Sequence, residues 1–261
     1  MVQPTETRTD GGTAEVGPGT GSDPGVGAPP ERLDATETLS WAWDVLTERL
    51  DLVGAVFVVA VVSLLADLTM TVQQTPSGPM PAPTPLSSVL NLVYLVGFLL
   101  VTGMIAYAAQ DAVRGERRDL ADLFSPALSR ALWLFLTLFA FGIVVFLGLI
   151  ALVLPGLYLL VRLLLAIPAA VVDERGPIES LKASWVATDD NFLKVGGLVL
   201  ANILASLVVG VVASLVVGPA SGVVTSSVLT PLFGFAYTRV YLENRPEPAP
   251  ESGSESEPAP E

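Results

Sequence analysis

The sequence predicts an all-α fold: a polytopic integral membrane protein with about six transmembrane helices in three hairpins, each preceded by an amphipathic helix on the inner leaflet. Three observations carry this. Between Leu52 and Tyr241 the chain runs through stretches of near-continuous Val, Leu, Ile, Ala, Phe and Gly, each long enough to cross a ~30 Å hydrocarbon core at ~1.5 Å per residue. Of 261 residues, 51% are hydrophobic and only 15% charged, too few charges to clothe a soluble domain. The basic residues alternate. Arg8, Arg32, Arg49, Arg114, Arg117, Arg118, Arg130, Arg175, Lys182, Lys194, Arg239 and Arg245 fall before the first span, between the second and third, between the fourth and fifth, and at the end of the sixth. The alternate connections hold none. Basic residues beside spans are retained in the cytoplasm, so both termini are expected inside the cell membrane.

In chain order, residues 1–34 form an acidic N-terminal tail rich in Gly, Thr and Pro, lacking the apolar run of a signal peptide and expected to be disordered. Residues 35–243 are the membrane domain. Residues 244–261 form a second acidic tail of Pro, Glu, Ala, Ser and Gly, with the same expectation. Much of the net charge of −13 lies in these tails. With only Lys182 and Lys194 against many Arg, Asp and Glu, the composition resembles that of extremely halophilic archaea.

The spans are expected at 51–72, 88–110, 131–153, 157–173, 193–217 and 220–242. The outer connection Gln73 to Ser87 has five Pro and no charge, which suits an exposed, non-helical linker. Leu154-Pro155-Gly156 and Gly218-Pro219-Ala220 are expected to be tight outer turns. Before the first span, Leu39, Trp43, Leu46 and Leu50 recur at helical spacing while Glu37, Ser40, Asp44, Thr47 and Glu48 point away, the pattern of a helix with one apolar side. Asp34 is placed to cap it. Glu37, Leu39, Trp43 and Gly54 align without a gap with Glu179, Leu181, Trp185 and Gly196, and Leu120 and Phe124 repeat part of the pattern before the third span. This suggests a triplicated unit, with Trp43 and Trp185 as interfacial aromatics.

Arg162 is the one basic residue well inside a span. A charge at that depth costs several kcal/mol unless it snorkels or is paired, and Asp67, near the outer end of the first span, is the expected partner. Asn202, Ser206, Gly210 and Ser214 recur every four residues on the fifth span, a small-residue stripe that lets helix backbones approach and hydrogen-bond. Pro168 and Pro231 are expected to kink spans four and six, and Ser63 and Asn91 to act as interhelical glue.

The absence of Cys and His removes disulfides, thiolate or imidazole metal sites and any nucleophile activated by His. Asp119, Asp122, Asp189 and Asp190 are isolated acids near helix ends, without the Asp-rich spacing of a divalent-ion site, so neither metal nor cofactor is expected. The acidic balance argues against nucleic acid as a partner. Membrane lipids, and partner proteins of unspecified kind, remain.

Leu154-Pro-Gly-Leu-Tyr-Leu-Leu-Val-Arg162, Ala166-Ile-Pro168-Ala and Asp173-Glu-Arg-Gly-Pro-Ile-Glu-Ser-Leu-Lys-Ala-Ser-Trp185 resemble the helical membrane domain fused to some glycerophosphoryl diester phosphodiesterases, and its stand-alone relatives. The resemblance implies a six-span helical domain with no established reaction, since the soluble barrel that performs hydrolysis in the fused proteins has no counterpart here. The expectation is a non-enzymatic membrane scaffold or organiser acting on lipid or partner proteins. A small permease or lipid-headgroup transporter using Arg162 is the alternative.

Overall fold

The structure, a computed structural model, describes residues 35–75 and 77–246; the expectations for the two tails and for the Asp34 cap lie outside the described residues. The fold is all-α apart from one small hairpin. Helix α1 (Ala35–Glu48) leads into α2 (Leu50–Leu68), followed by strands β1 (Thr71–Thr75) and β2 (Gly78–Ala82) and then α3 (Pro85–Arg114). Next come α4 (Leu120–Ala151), α5 (Val153–Leu163), α6 (Ala166–Val172) and α7 (Pro177–Asp189). Helix α8 (Phe192–Val217) and α9 (Ser221–Asn244), joined by a 3-10 turn at Gly218–Ala220, complete the chain.

Five helical stretches are long and apolar enough to cross a membrane: α2, α3, α4, the broken α5–α6 pair, and residues 192–244. The last folds back on itself at Gly218 into α8 and α9, whose ends meet through Asn191 and Asn244, 2.7 Å apart. The apolar segments therefore form three hairpins: α2–α3, α4–α5/α6 and α8–α9. Large apolar side chains on the outer faces of α4 and α8, among them Phe139, Phe146, Ile150, Leu207 and Leu215, are exposed. In a soluble protein such faces would be an aggregation surface; here hydrocarbon is their solvent. The tightest packing surrounds the second half of α3, where residues Gly103 to Asp111 are buried all round among α2, α4, α6 and α9.

Several local features differ from the sequence expectations. The Gln73–Ser87 connection is partly ordered as an antiparallel hairpin pairing Val72 with Pro81 and Gln73 with Met80; Pro79 and Pro81 lie in β2 of this two-stranded sheet, whose outer edge requires no ladder donor. Thr84 and Ser87 then form a reciprocal cap at the start of α3, the Ser87 N–H donating to Thr84 Oγ1 at 3.0 Å. The third amphipathic segment is not a separate helix: Leu120 and Phe124 belong to the first turns of the 32-residue α4, which continues through Pro126 into the span.

The α4–α5 turn lies at Leu152, not at 154–156. Leu152 is extended (φ −167°, ψ 146°), and Pro155 and Gly156 are already helical. Gly156 permits this because α4 and α5 touch there: a Cβ at this position would stand 2.6 Å from the Leu149 backbone nitrogen. The fourth span breaks between α5 and α6 at Leu164–Leu165. Pro168 lacks the N–H that would donate to the carbonyl of Leu164, four residues earlier, so the break has an identifiable cause. Helix α9 runs unbroken past Pro231.

Helices α1 and α7 bury the same register of positions. Thr38, Ala42, Val45 and Leu46 are buried in α1, and Ser180, Ser184, Ala187 and Thr188, at identical offsets, in α7. The apolar side expected for α1 is divided. Leu46 faces the protein, whereas Trp43 and Leu50 are 52% and 67% exposed. The small residues sit where helix backbones approach, and the large ones face outward.

Candidate functional site

Three polar assemblies interrupt this apolar frame. The first surrounds Arg162, near the end of α5. Its Nη1 lies 2.7 Å from Asp189 Oδ1, its Nε donates to Tyr158 Oη at 2.9 Å, and Nη1 also reaches the Trp185 carbonyl at 3.3 Å. The rings of Tyr158, Trp185 and Phe192 surround the guanidinium, their centroids 5.4, 5.0 and 5.8 Å from Cζ, a cation–π cage. The Arg162 carbonyl accepts from Ser184 Oγ at 2.8 Å and Thr188 Oγ1 at 3.3 Å. Arg162 and Asp67 therefore do not pair. Helix α7 lies along α5 and α6 and brings Asp189 to Arg162, while Asp67 sits at the end of α2 among Tyr94, Pro219 and Gly222. Asp189, expected to be a solvated helix-end acid, is the partner instead.

The second assembly is an ionic end of the bundle, built from connections that the sequence keeps apart. Arg118 folds back across the Gly115 turn to grip the buried Asp111 with two donors, at 2.7 and 2.8 Å. That bond holds its guanidinium above the ordinary arginine range against some desolvation. Arg130 on α4 reaches Glu174 at 3.1 Å in the loop after α6, where Glu174 adopts left-handed backbone at φ +54°. Tyr241 donates to Asp173 at 2.5 Å, and Asp173 also receives Arg175 and Arg245. Arg239 lies 3.5 Å from Glu37 and stacks over Trp41 with Cζ 4.9 Å from the ring, tying α9 to α1. The loop after α6, the end of α9, α4 and α1 are thus joined by ion pairs at this end. Arg114, Arg117 and Lys182 make no ion pair among the described residues.

The third assembly is a pair of adjoining cavities inside the bundle, of about 140 and 280 Å³, that share Phe98, Thr102, Ser226 and Thr230 as walls. The smaller opens at Asp67, and the larger runs between α3, α6, α8 and α9 to Asn202 and Tyr237. The small-residue stripe lies along this wall. Asn202 Nδ2 donates to Tyr237 Oη at 3.4 Å, Ser206 Oγ donates to Asn202 Oδ1 at 3.3 Å, and Gly210 faces Thr225. Ser214 leaves the stripe: it is exposed and bonds back to the Val211 carbonyl. Asn91 is not interhelical either, donating to Ser87 of its own helix at 2.9 Å, and Ser63 lines the smaller cavity.

Trp43 and Trp185 are both largely exposed, on corresponding faces of α1 and α7. Trp185 is therefore double-sided, one part of its ring over Arg162 and the rest outward. Sequence reasoning located Arg162 and the stripe but missed the Asp111–Arg118 grip. The available signal was an acid and a base bracketing the helix stop at Gly115. The Tyr241–Asp173 bond had none, since 68 residues separate its partners.

This is a helical membrane protein with one ionic end, an arginine caged by aromatic rings and a polar crevice within its apolar bundle. The chain belongs to a family described as a domain of unknown function (DUF7847), whose model matches residues 33–243. No curated protein and no solved structure matches the chain.

Proposed function

We propose that the protein is a non-enzymatic, multi-pass scaffold or organiser of the cell membrane, acting on lipid or on partner proteins, with the ionic end and both termini on the cytoplasmic side. The observation that carries this reading is the fate of Arg162. The cation that a permease would present to an anion or headgroup is enclosed by Asp189, three aromatic rings and the backbone of α7. It fixes helix to helix. Meanwhile Trp43 and Trp185 project outward from equivalent helices, as membrane-contacting aromatics do. The bias of basic residues toward the ionic end supports the orientation. The segments resembling the phosphodiesterase-associated membrane domain are those that build α5, α6 and α7, a structural unit.

Photo-crosslinking from positions 43 and 185 in native membranes tests the reading. Lipid, or a recurrent protein partner, should be captured there, while a crosslinker at the buried position 38 should capture only the chain itself. Solute uptake by proteoliposomes that disappears in Arg162→Met would instead establish the permease.

A further inference from the structure

The two adjoining cavities are not ordinary packing defects. Five hydroxyl side chains on their walls, those of Ser63, Thr102, Thr225, Ser226 and Thr230, make no hydrogen bond to any described residue. Thr225 Oγ1 is fully enclosed and still without a partner. In a membrane helix the cheapest fate of a Ser or Thr hydroxyl is to donate to its own backbone four residues back, as Thr137, Ser227 and Thr238 do here. Hydroxyls left unpaired in a low-dielectric interior cost free energy unless something else supplies the bond. Ser63, Thr102, Ser226 and Thr230 all line the smaller cavity, which none of these self-satisfied hydroxyls does, while Thr225 lines the larger one together with the self-satisfied Thr238.

The charge at this space has one sign. Asp67 stands at its mouth, has no ion pair among the described residues, and no other Asp and no Glu, Lys or Arg lines either cavity. The walls are aromatic and aliphatic between the hydroxyls, with Phe98 and Phe233 facing the larger chamber and Tyr94 beside Asp67. From Gly222 to Tyr237 the α9 wall spans sixteen residues, about 22 Å of helix. The larger chamber, at about 280 Å³, lies near the lower edge of the ~300–1,000 Å³ range of small-ligand pockets.

We propose that this crevice binds a small primary-ammonium amphiphile, its cationic head against Asp67 and the neighbouring hydroxyls and its short apolar body along Phe98 toward the larger chamber. An ammonium group donates three hydrogen bonds and accepts none, which matches a carboxylate surrounded by hydroxyl oxygens. An alkyl carboxylate of the same length meets a like charge, and an alcohol gains no charge-assisted bond. This site is separate from the Arg162 cage and does not depend on the scaffold reading.

Isothermal titration of the full chain in neutral-lipid nanodiscs with hexylammonium, hexanol and hexanoate at pH 7 tests the assignment. Hexylammonium should bind roughly tenfold more tightly than either of the others, the ratio a single exposed-side charge-assisted bond supplies. Asp67→Asn, nearly isosteric at an exposed position, should reduce hexylammonium to the level of hexanol, and Asp67→Glu should retain the preference. Thr230→Val with Ser226→Ala should weaken hexylammonium several-fold while Arg117→Gln leaves it unchanged. Equal binding of the three probes, preferential binding of hexanoate, or an amine preference that survives Asp67→Asn would overturn the proposal.

Discussion

Arg162 shows how a single charge is accommodated where water is scarce. Its carboxylate partner Asp189 is 67% exposed in its side chain, so the ion pair itself is worth little, about 0–1 kcal/mol. The aromatic cage is the larger contribution, since a desolvated cation–π contact is worth about 2 kcal/mol. Arg162→Met should accordingly lower stability by about 2 kcal/mol, with Trp185→Ala costing more than Asp189→Asn. Chemical unfolding in mixed micelles measures these losses. In a double-mutant cycle Arg162 should couple to Trp185 and to Asp189, while its coupling to Asp67 should be zero. A second residue-scale prediction concerns Gly156. Its missing side chain lets Leu149 approach, and no side-chain rotation can move a backbone nitrogen. Gly156→Ala should cost about 1–3 kcal/mol, the usual range for overpacking, visible as a lower thermal midpoint. Gly197→Ala, where a Cβ meets open space, should leave that midpoint unchanged or raise it.

At the scale of elements, the helix stop after α3 and the α1–α7 correspondence make separate claims. Gly115 ends α3 in left-handed backbone at φ +71°, and the Glu116 N–H then donates to the Asp111 carbonyl at 2.9 Å, the closing bond of a Schellman stop. This turn aims Arg118 back at Asp111. Gly115→Ala has free space but the wrong backbone preference, and should destabilise by about 1 kcal/mol through that strain alone. Helices α1 and α7 bury equal offsets and expose Trp43 and Trp185 alike. Single-Trp variants should therefore show matching quenching by lipids brominated at one depth. Clearly unequal quenching would remove the case for duplicated units. The repeat was legible from Glu37 and Glu179 through Gly54 and Gly196. The split of the apolar face was not, because spacing marks one side of a helix as apolar without telling protein from lipid.

Across the whole molecule, the basic residues gather at one end of the helices, where Arg130, Arg239 and Arg245 bind acids from other connections. That shared end predicts a common compartment for it. Reporter fusions near Gly115 and Gly176 should read as cytoplasmic, and an insertion at Pro79, in the β1–β2 hairpin at the other end, as external. A cytoplasmic reading at Pro79 would exclude the proposed orientation. The sequence by itself determined the all-α class, the apolar segments and their pairing, because lipid imposes length and composition on every span independently of its neighbours. It also marked Arg162 as a residue needing a partner, because the cost of an intramembrane charge is a property of the residue alone. Only tertiary structure decided which partner. Asp67 and Asp189 both carry the required charge, and the choice depended on α7 folding along α5 and α6, through Ser184 and Thr188 bonds to the Arg162 carbonyl. Likewise each hydroxyl of the crevice reads in sequence as ordinary helix packing. They form one unsatisfied surface only because α2, α3 and α9 turn Ser63, Thr102 and Ser226 toward the same space, and convergence of side chains is set by helix rotation, which local spacing does not encode.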